Sequence, residues 1–123
     1  MSMFSALELA AAKAIARQFP NATTALLAQL EKAVVTDRRF TGVGFFTEFE
    51  APKDLPAAQL AFSPIGHIRS HVGPGRYPLE FMLYVNDGYA NTIEAYSFDD
   101  GYGDLDLLTA AFTPPTEPEF QQA

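Results

Sequence analysis

The chain has 123 residues, a net charge of −7, 48% hydrophobic residues, eleven Phe, five Tyr and no Cys. That length fits one domain, the apolar content is enough to build a core and argues against disorder, and the missing Cys excludes disulfides and thiolate chemistry. The charge is uneven. Residues 1–41 sum to +2 and residues 42–123 to −9, and no Lys or Arg follows Arg76. Such an acidic half repels phosphate backbones, which argues against nucleic-acid binding, and it attracts basic protein surfaces. The plain alternative is that the acids serve solubility. No apolar run has the length of a membrane span, and Glu8 and Lys13 interrupt the N-terminal apolar stretch, so no secretory signal is read and the expected location is cytoplasmic.

Ser5-Ala-Leu-Glu8 reads as a capping box, and the Ala-rich run after it has high helix propensity. Phe4, Leu7, Ala11, Ala14, Ile15 and Phe19 fall near one stripe, and Pro20-Asn21 ends this first helix. A second helix is expected from about Ala22 to Lys32, capped by Asn21 or Thr23, with Leu26, Leu27 and Leu30 on its apolar side.

From Val34 the pattern changes to strands. Val34–Phe40 and Val43–Phe49 are rich in β-branched and aromatic residues, and Val43, Phe45, Thr47 and Phe49 share one face of the second. The stretch 51–56 is a loop because neither Pro52 nor Pro56 donates to a ladder. Leu60–Ile68 reads as a strand that Pro64 places at an edge or bulge, and Val72–Pro78 as a long turn. Leu79, Phe81, Leu83 and Val85 then alternate with Glu80, Met82 and Tyr84, and Thr92–Phe98 is the return strand after the Asn86-Asp87-Gly88 turn. A loop from Asp87 to Tyr89 sets Leu83 opposite Ile93 and Phe81 opposite Ala95, the register that keeps one face apolar. A short last strand near Leu105–Phe112 is expected, then a frayed Pro-rich tail over 113–123, with 1–112 as the domain.

Two helices followed by five or six strands with hairpin-scale links predict an α+β fold. The N-terminal helices would pack on one face of a mostly antiparallel sheet.

The stretch 97–106 holds four aspartates and two glycines. It fails the EF-hand pattern in every frame, because the ligand positions fall on Tyr96, Phe98 or Tyr102, or on Leu83 and Val85. A cation site of another geometry would use Asp99, Asp100, Asp104 and Asp106, but a glycine-rich turn with solvated carboxylates accounts for the same residues. His67 and His71 have the spacing of a zinc pair on a helix. In an extended chain they lie roughly 13 Å apart, too wide for one metal. Gly42-Val-Gly44 lacks the rest of a dinucleotide fingerprint and is read as a bulge or a close helix–sheet contact. No phosphate loop or nucleophile elbow occurs, so no cofactor is expected.

Glu94 is the candidate acid/base residue. It lies mid-strand beside Tyr84 and Tyr96, with Glu80 near and Arg39 or Arg69 as possible partners. If its face is covered, burial would raise its pKa toward acid/base use; if open, it is an ordinary outward polar position. Arg39, Tyr84, Glu94 and Tyr96 are the candidate ligand-binding set.

Arg39-Phe-Thr-Gly-Val-Gly-Phe-Phe-Thr47, with the strand ending at Asp87-Gly88 and Ile93-Glu-Ala-Tyr96, resembles a group of small uncharacterised bacterial proteins carrying R-x-[YF]-T-G-V-G-F-[FY], a strand ending in D-G and an L-E-G-[YF] strand. Ala95 replaces the usual Gly. The resemblance spans about residues 32–98 and implies bacterial origin and a shared fold, with no activity attached; it raises interest in Arg39, Gly42, Gly44 and Glu94.

Two functions follow as expectations. One is a non-enzymatic interaction module, inhibitor- or immunity-like, whose acidic half meets a basic protein partner. The other is a small-ligand or enzyme domain with an aromatic-lined pocket and Glu94 as its polar or acid/base group. A strand edge near Pro64 is the expected place for a homodimer contact.

Overall fold

The computed structural model describes residues 3–97 and 105–118. Helix α1 (Ala6–Arg17) and helix α2 (Thr23–Lys32) precede five strands, β1 (Val34–Phe40), β2 (Gly44–Glu50), β3 (Ile65–Val72), β4 (Tyr77–Asn86) and β5 (Tyr89–Tyr96). The sheet order is β1-β2-β5-β4-β3, with every neighbouring pair antiparallel. Both helices pack on one face, α1 over β3 and β4 and α2 over β5. The α+β architecture read from the sequence is the one observed.

Helix α1 starts where the capping box sets it. The Ser5 hydroxyl accepts from the Glu8 N–H at 3.1 Å, and the Glu8 carboxylate accepts from the Ser5 N–H at 2.7 Å. Its buried stripe includes Leu7, Ala11 and Ile15. Helix α2 begins without a side-chain cap at Ala22, so neither expected cap is used. The Thr23 hydroxyl instead donates to the Ala16 and Phe19 carbonyls, satisfying the free end of α1.

The β4–β5 hairpin keeps the predicted register, Leu83 against Ile93 and Phe81 against Ala95. Phe81, Leu83 and Ile93 are fully buried beneath the helices, each contributing about 1.5–3 kcal/mol of burial energy. The loop is one residue shorter than expected. Pairing continues to Asn86 and Tyr89, a shift between Tyr84 and Val85 absorbs the extra residue, and Asp87 takes a left-handed φ of 52°.

Three expectations are corrected. Residues 60–64 do not join a strand, and β3 begins at Ile65 after the cis Ser63–Pro64 bond and runs on to Val72. No strand forms over 105–111, because the Asp106 side chain and carbonyl draw Leu108 and Ala110 N–H groups into a turn; only Phe112 makes an isolated bridge, to Val72. The proline-rich stretch 113–118 does not fray. Thr116 exchanges backbone hydrogen bonds with Arg69, the Thr113 N–H reaches the His71 carbonyl, and the buried Ser70 hydroxyl donates to the Thr113 carbonyl at 2.7 Å. The strand edge near Pro64 continues into this covered stretch of β3. Among the described residues, the outer edge of β1 is the one that no segment covers.

The close helix–sheet approach expected at Gly42 and Gly44 lies elsewhere. A side chain at Gly44 would overlap the backbone of Ala95 on the neighbouring strand, whereas one at Gly66 would run into Ile15 of α1.

Candidate functional site

A sheet covered by helices on one side leaves its other face to be explained, and strand alternation fixes which residues it carries. Reading across the sheet, Arg39 pairs with Phe46, Phe46 with Glu94, and Glu94 with Met82. The next row runs Gly44, Tyr96, Glu80 and Arg69, and the row on the other side runs Glu48, Thr92 and Tyr84. The register therefore brings all four candidate ligand-binding residues, Arg39, Tyr84, Glu94 and Tyr96, onto the helix-free face.

Glu94 is half-buried at the centre of this face. Its partner is neither Arg39 nor Arg69. The Tyr84 hydroxyl donates to Glu94 Oε1 at 2.7 Å. That hydrogen bond, with burial and the carboxylate charge, pushes the Tyr84 phenol up to about 12. Burial and the nearby Glu80 and Glu94 carboxylates push the Tyr96 phenol up as well. Both phenols thus stay protonated beside carboxylates, and Tyr84 is the one seen donating to one. Arg39 lies over the Phe46 ring, 5.0 Å from its centroid.

Arg69 is committed to Glu80. Its Nε and Nη2 reach Glu80 Oε1 at 2.7 and 2.6 Å. The Glu80 side chain is 6% exposed, and its Oε2 has no hydrogen-bond partner among the described residues; His67 Nε2 lies 3.3 Å away without hydrogen-bond geometry. His67 is exposed and His71 follows four residues later in the extended β3, opposite Pro78, so the strand keeps the two histidines apart. Asp99, Asp100 and Asp104 lie outside the described residues. Asp106 accepts the Leu108 N–H at 3.0 Å and acts as a turn residue. No group of three metal-ligating side chains occurs among the described residues.

A second cluster, on the helix side, was not anticipated. Glu8 is completely buried and receives a fork from Arg38, Nη2 to Oε1 at 2.7 Å and Nε to Oε2 at 3.0 Å, and the Thr47 hydroxyl also donates to Oε2. Burial alone would push the Glu8 carboxyl up. The hydrogen bonds from Arg38, Thr47 and the Ser5 N–H outweigh it and hold the group below its ordinary value. The signal in the sequence was Thr47, the one polar residue on the Val43–Phe49 inward face, and Arg38, which pairs with it. Both of these clusters tie elements together, Glu8 joining α1 to β1 and β2, and Glu80 joining β4 to β3.

Two hollows lie away from the open sheet face. One, about 270 Å³, is lined by Leu60, Phe62, Ser63 and Asp87 among others. The other, about 500 Å³, lies between Leu9, Lys13 and Arg17 of α1 and Pro114 and Pro115. No helix among the described residues is long and apolar enough to cross a membrane. Compared with protein-family models, with curated proteins and with solved structures, the chain has no match.

Proposed function

We propose that this protein is a non-enzymatic interaction module that binds a basic protein partner through the helix-free face of its sheet, in the manner of an inhibitor or immunity protein. The observation that carries the reading is the layout of that face. Phe46, Met82, Tyr84 and Tyr96 surround Glu94, and Asp37, Glu48 and Glu50 stand on its exposed side along β1 and β2. Aromatic and methionine side chains in the middle with charges around them make the pattern of a binding surface, and Tyr is prominent among residues that carry binding energy. The face is acidic in net terms, since Arg69 is neutralised by Glu80 and Arg39 is the remaining guanidinium. A partner presenting Arg or Lys would meet Glu94 and the two phenol oxygens and stack its stem on the rings.

The test is affinity capture from the source cells with wild-type protein and with Tyr84→Ala/Glu94→Gln, at about 0.05 M and about 0.5 M salt, where screening lengths differ roughly threefold. The expected partner is retained at low salt, lost at high salt, lost from the double variant, and retained by Lys13→Ala/Arg17→Ala on the opposite side of the molecule. Capture that ignores both salt and the double substitution would reject the reading. The second function, a small-ligand or acid/base site at Glu94, draws on the Tyr84–Glu94 hydrogen bond; a saturable change in Tyr84 absorbance with a small molecule, without a protein partner, would favour it.

A further inference from the structure

We infer that the outer edge of β1 pairs with the same edge of a second copy, antiparallel about a two-fold axis at Arg38, to form a closed homodimer.

The two edges of the sheet are treated differently. Along β3 the chain's own 111–116 stretch occupies the edge from Arg69 to Gly73, and the Gln18 side chain takes the N–H and C=O of His67. Along β1 the backbone groups face outward. The Thr41 N–H bonds the Gly44 carbonyl at 3.0 Å, and antiparallel alternation along the β1–β2 register makes Arg39 and Asp37 the next residues turned to β2. By that alternation the N–H and C=O groups of Arg38 and Phe40 point away from the sheet. An unpaired edge of this kind is a template for another strand.

Three features of the edge favour a second copy as the occupant. The first is charge. Asp37 and Arg39 are exposed, lie on the same face, and have no ion pair with any described residue. Asp37 stands across from Glu48, so that spot is doubly acidic. Antiparallel pairing centred on Arg38 places Asp37 of one copy opposite Arg39 of the other, twice. A register shifted by two residues would lose both pairs. The second is apolar exposure. Phe40 is 58% exposed and Val43 48%, both at this end of the sheet, and the two-fold would set Phe40 opposite Thr36 of the other copy, with apolar area to cover. The third is the central residue. Two Arg38 side chains would meet near the axis, but each is fork-bonded to its own Glu8, so the centre does not bring two bare cations together.

The pairing closes on itself. The extra residue in β1, between Val35 and Asp37, ends the regular edge on one side, and the β3 edge is occupied, so each copy has one place to pair and no filament results.

The experiment is sedimentation of the full chain over about 5 µM to about 1 mM, since a short ladder gives a small interface and weak association. Wild-type protein is expected to dimerise with concentration. Asp37→Arg and Arg39→Asp each place like charges opposite one another and should weaken the dimer by at least roughly tenfold. Mixed together, the two variants should restore it as a heterodimer, since each then supplies the charge the other needs. Circular dichroism confirms that both variants are folded; recovery on mixing also shows this. Wild-type protein that stays monomeric throughout, or a dimer indifferent to both substitutions, would overturn the inference.

Discussion

Arg38→Ala is the substitution whose cost the structure defines best. It leaves Glu8, 0% exposed, with the Thr47 hydroxyl and the Ser5 N–H but no cation. Breaking a buried ion pair by removing one partner costs about 3–5 kcal/mol. Arg38 is 22% exposed, so water is close and the lower end, about 3 kcal/mol, is expected. For a chain of this size, with about 0.05–0.15 kcal/mol of stability per residue, that is a large share of the whole. In urea unfolding followed by circular dichroism, a slope of about 1.5 kcal/mol/M turns the loss into a midpoint lower by about 2 M.

The double variant Glu8→Gln/Arg38→Met separates the ion pair from the rest. Gln at position 8 preserves the capping box, and Met fills much of the volume of Arg38. It should cost only about 1–2 kcal/mol, well under the sum of the single changes. The acid limb gives an independent check. The Glu8 carboxyl lies below its ordinary 4.5 in the folded protein, so its contribution is complete above pH 4.5 and is lost as pH falls through the folded value. The stability gap between wild type and the double variant should therefore narrow below pH 4.5. A single variant costing under about 1 kcal/mol, or additive single and double variants, would refute the reasoning.

Three shorter predictions concern the rest of the molecule. Spectroscopic titration at alkaline pH should find one phenol ionising near 12, and Glu94→Gln should bring it down toward the ordinary 10; because the raised pKa belongs to the folded state, the Tyr84–Glu94 contribution to stability is complete below pH 10 and fades as pH rises toward 12. Deleting residues 112–123 should strip hydrogen-exchange protection from the Arg69 amide, which bonds the Thr116 carbonyl, and from the His71 amide, which bonds the Thr113 hydroxyl at 2.9 Å; unchanged protection would show that β3 needs no cover. Gly66→Ala combines a φ of 87° with a collision against Ile15 and should cost about 2 kcal/mol or more in thermal or urea unfolding.

The hairpin register was legible because a single parity choice buries Leu79, Phe81 and Leu83 together and every slip exposes them. The first helix was legible because Ser5 and Glu8, three positions apart, state its start together. What stayed hidden depends on distant segments. Nothing local to Glu8 says that the residue completing its own capping box also meets a guanidinium thirty positions away. The proline-rich stretch 113–118 lacks strand propensity, and its order comes from an edge it happens to reach, supplied by the Arg69 and His71 backbone. The face carrying Arg39, Tyr84, Glu94 and Tyr96 was half legible. Strand alternation grouped three of them, while Arg39 joins them only through the order β1-β2-β5-β4.

Among the described residues, the three semi-buried or buried glutamates also divide the molecule by what each can still do. Glu8 accepts from Arg38, Thr47 and Ser5, and both its oxygens are engaged inside the core. A carboxylate so completely satisfied holds elements in place and has little left to offer a partner. Glu80 is engaged at one oxygen by Arg69 and carries an unpartnered second oxygen beside an exposed histidine. Glu94 lies on the same helix-free side, held at one oxygen by a phenol on a neighbouring strand. The unpartnered Glu80 oxygen is itself buried, so Glu94, half-buried among the aromatic residues, is the least buried carboxylate of the three. Under the proposed function, a basic side chain arriving there would meet a carboxylate already oriented by Tyr84 at folding, which lowers the entropic cost of binding. The same chain on the helix side finds a finished network. That difference, more than the net charge of −7, is the physical reason for proposing recognition on the helix-free face.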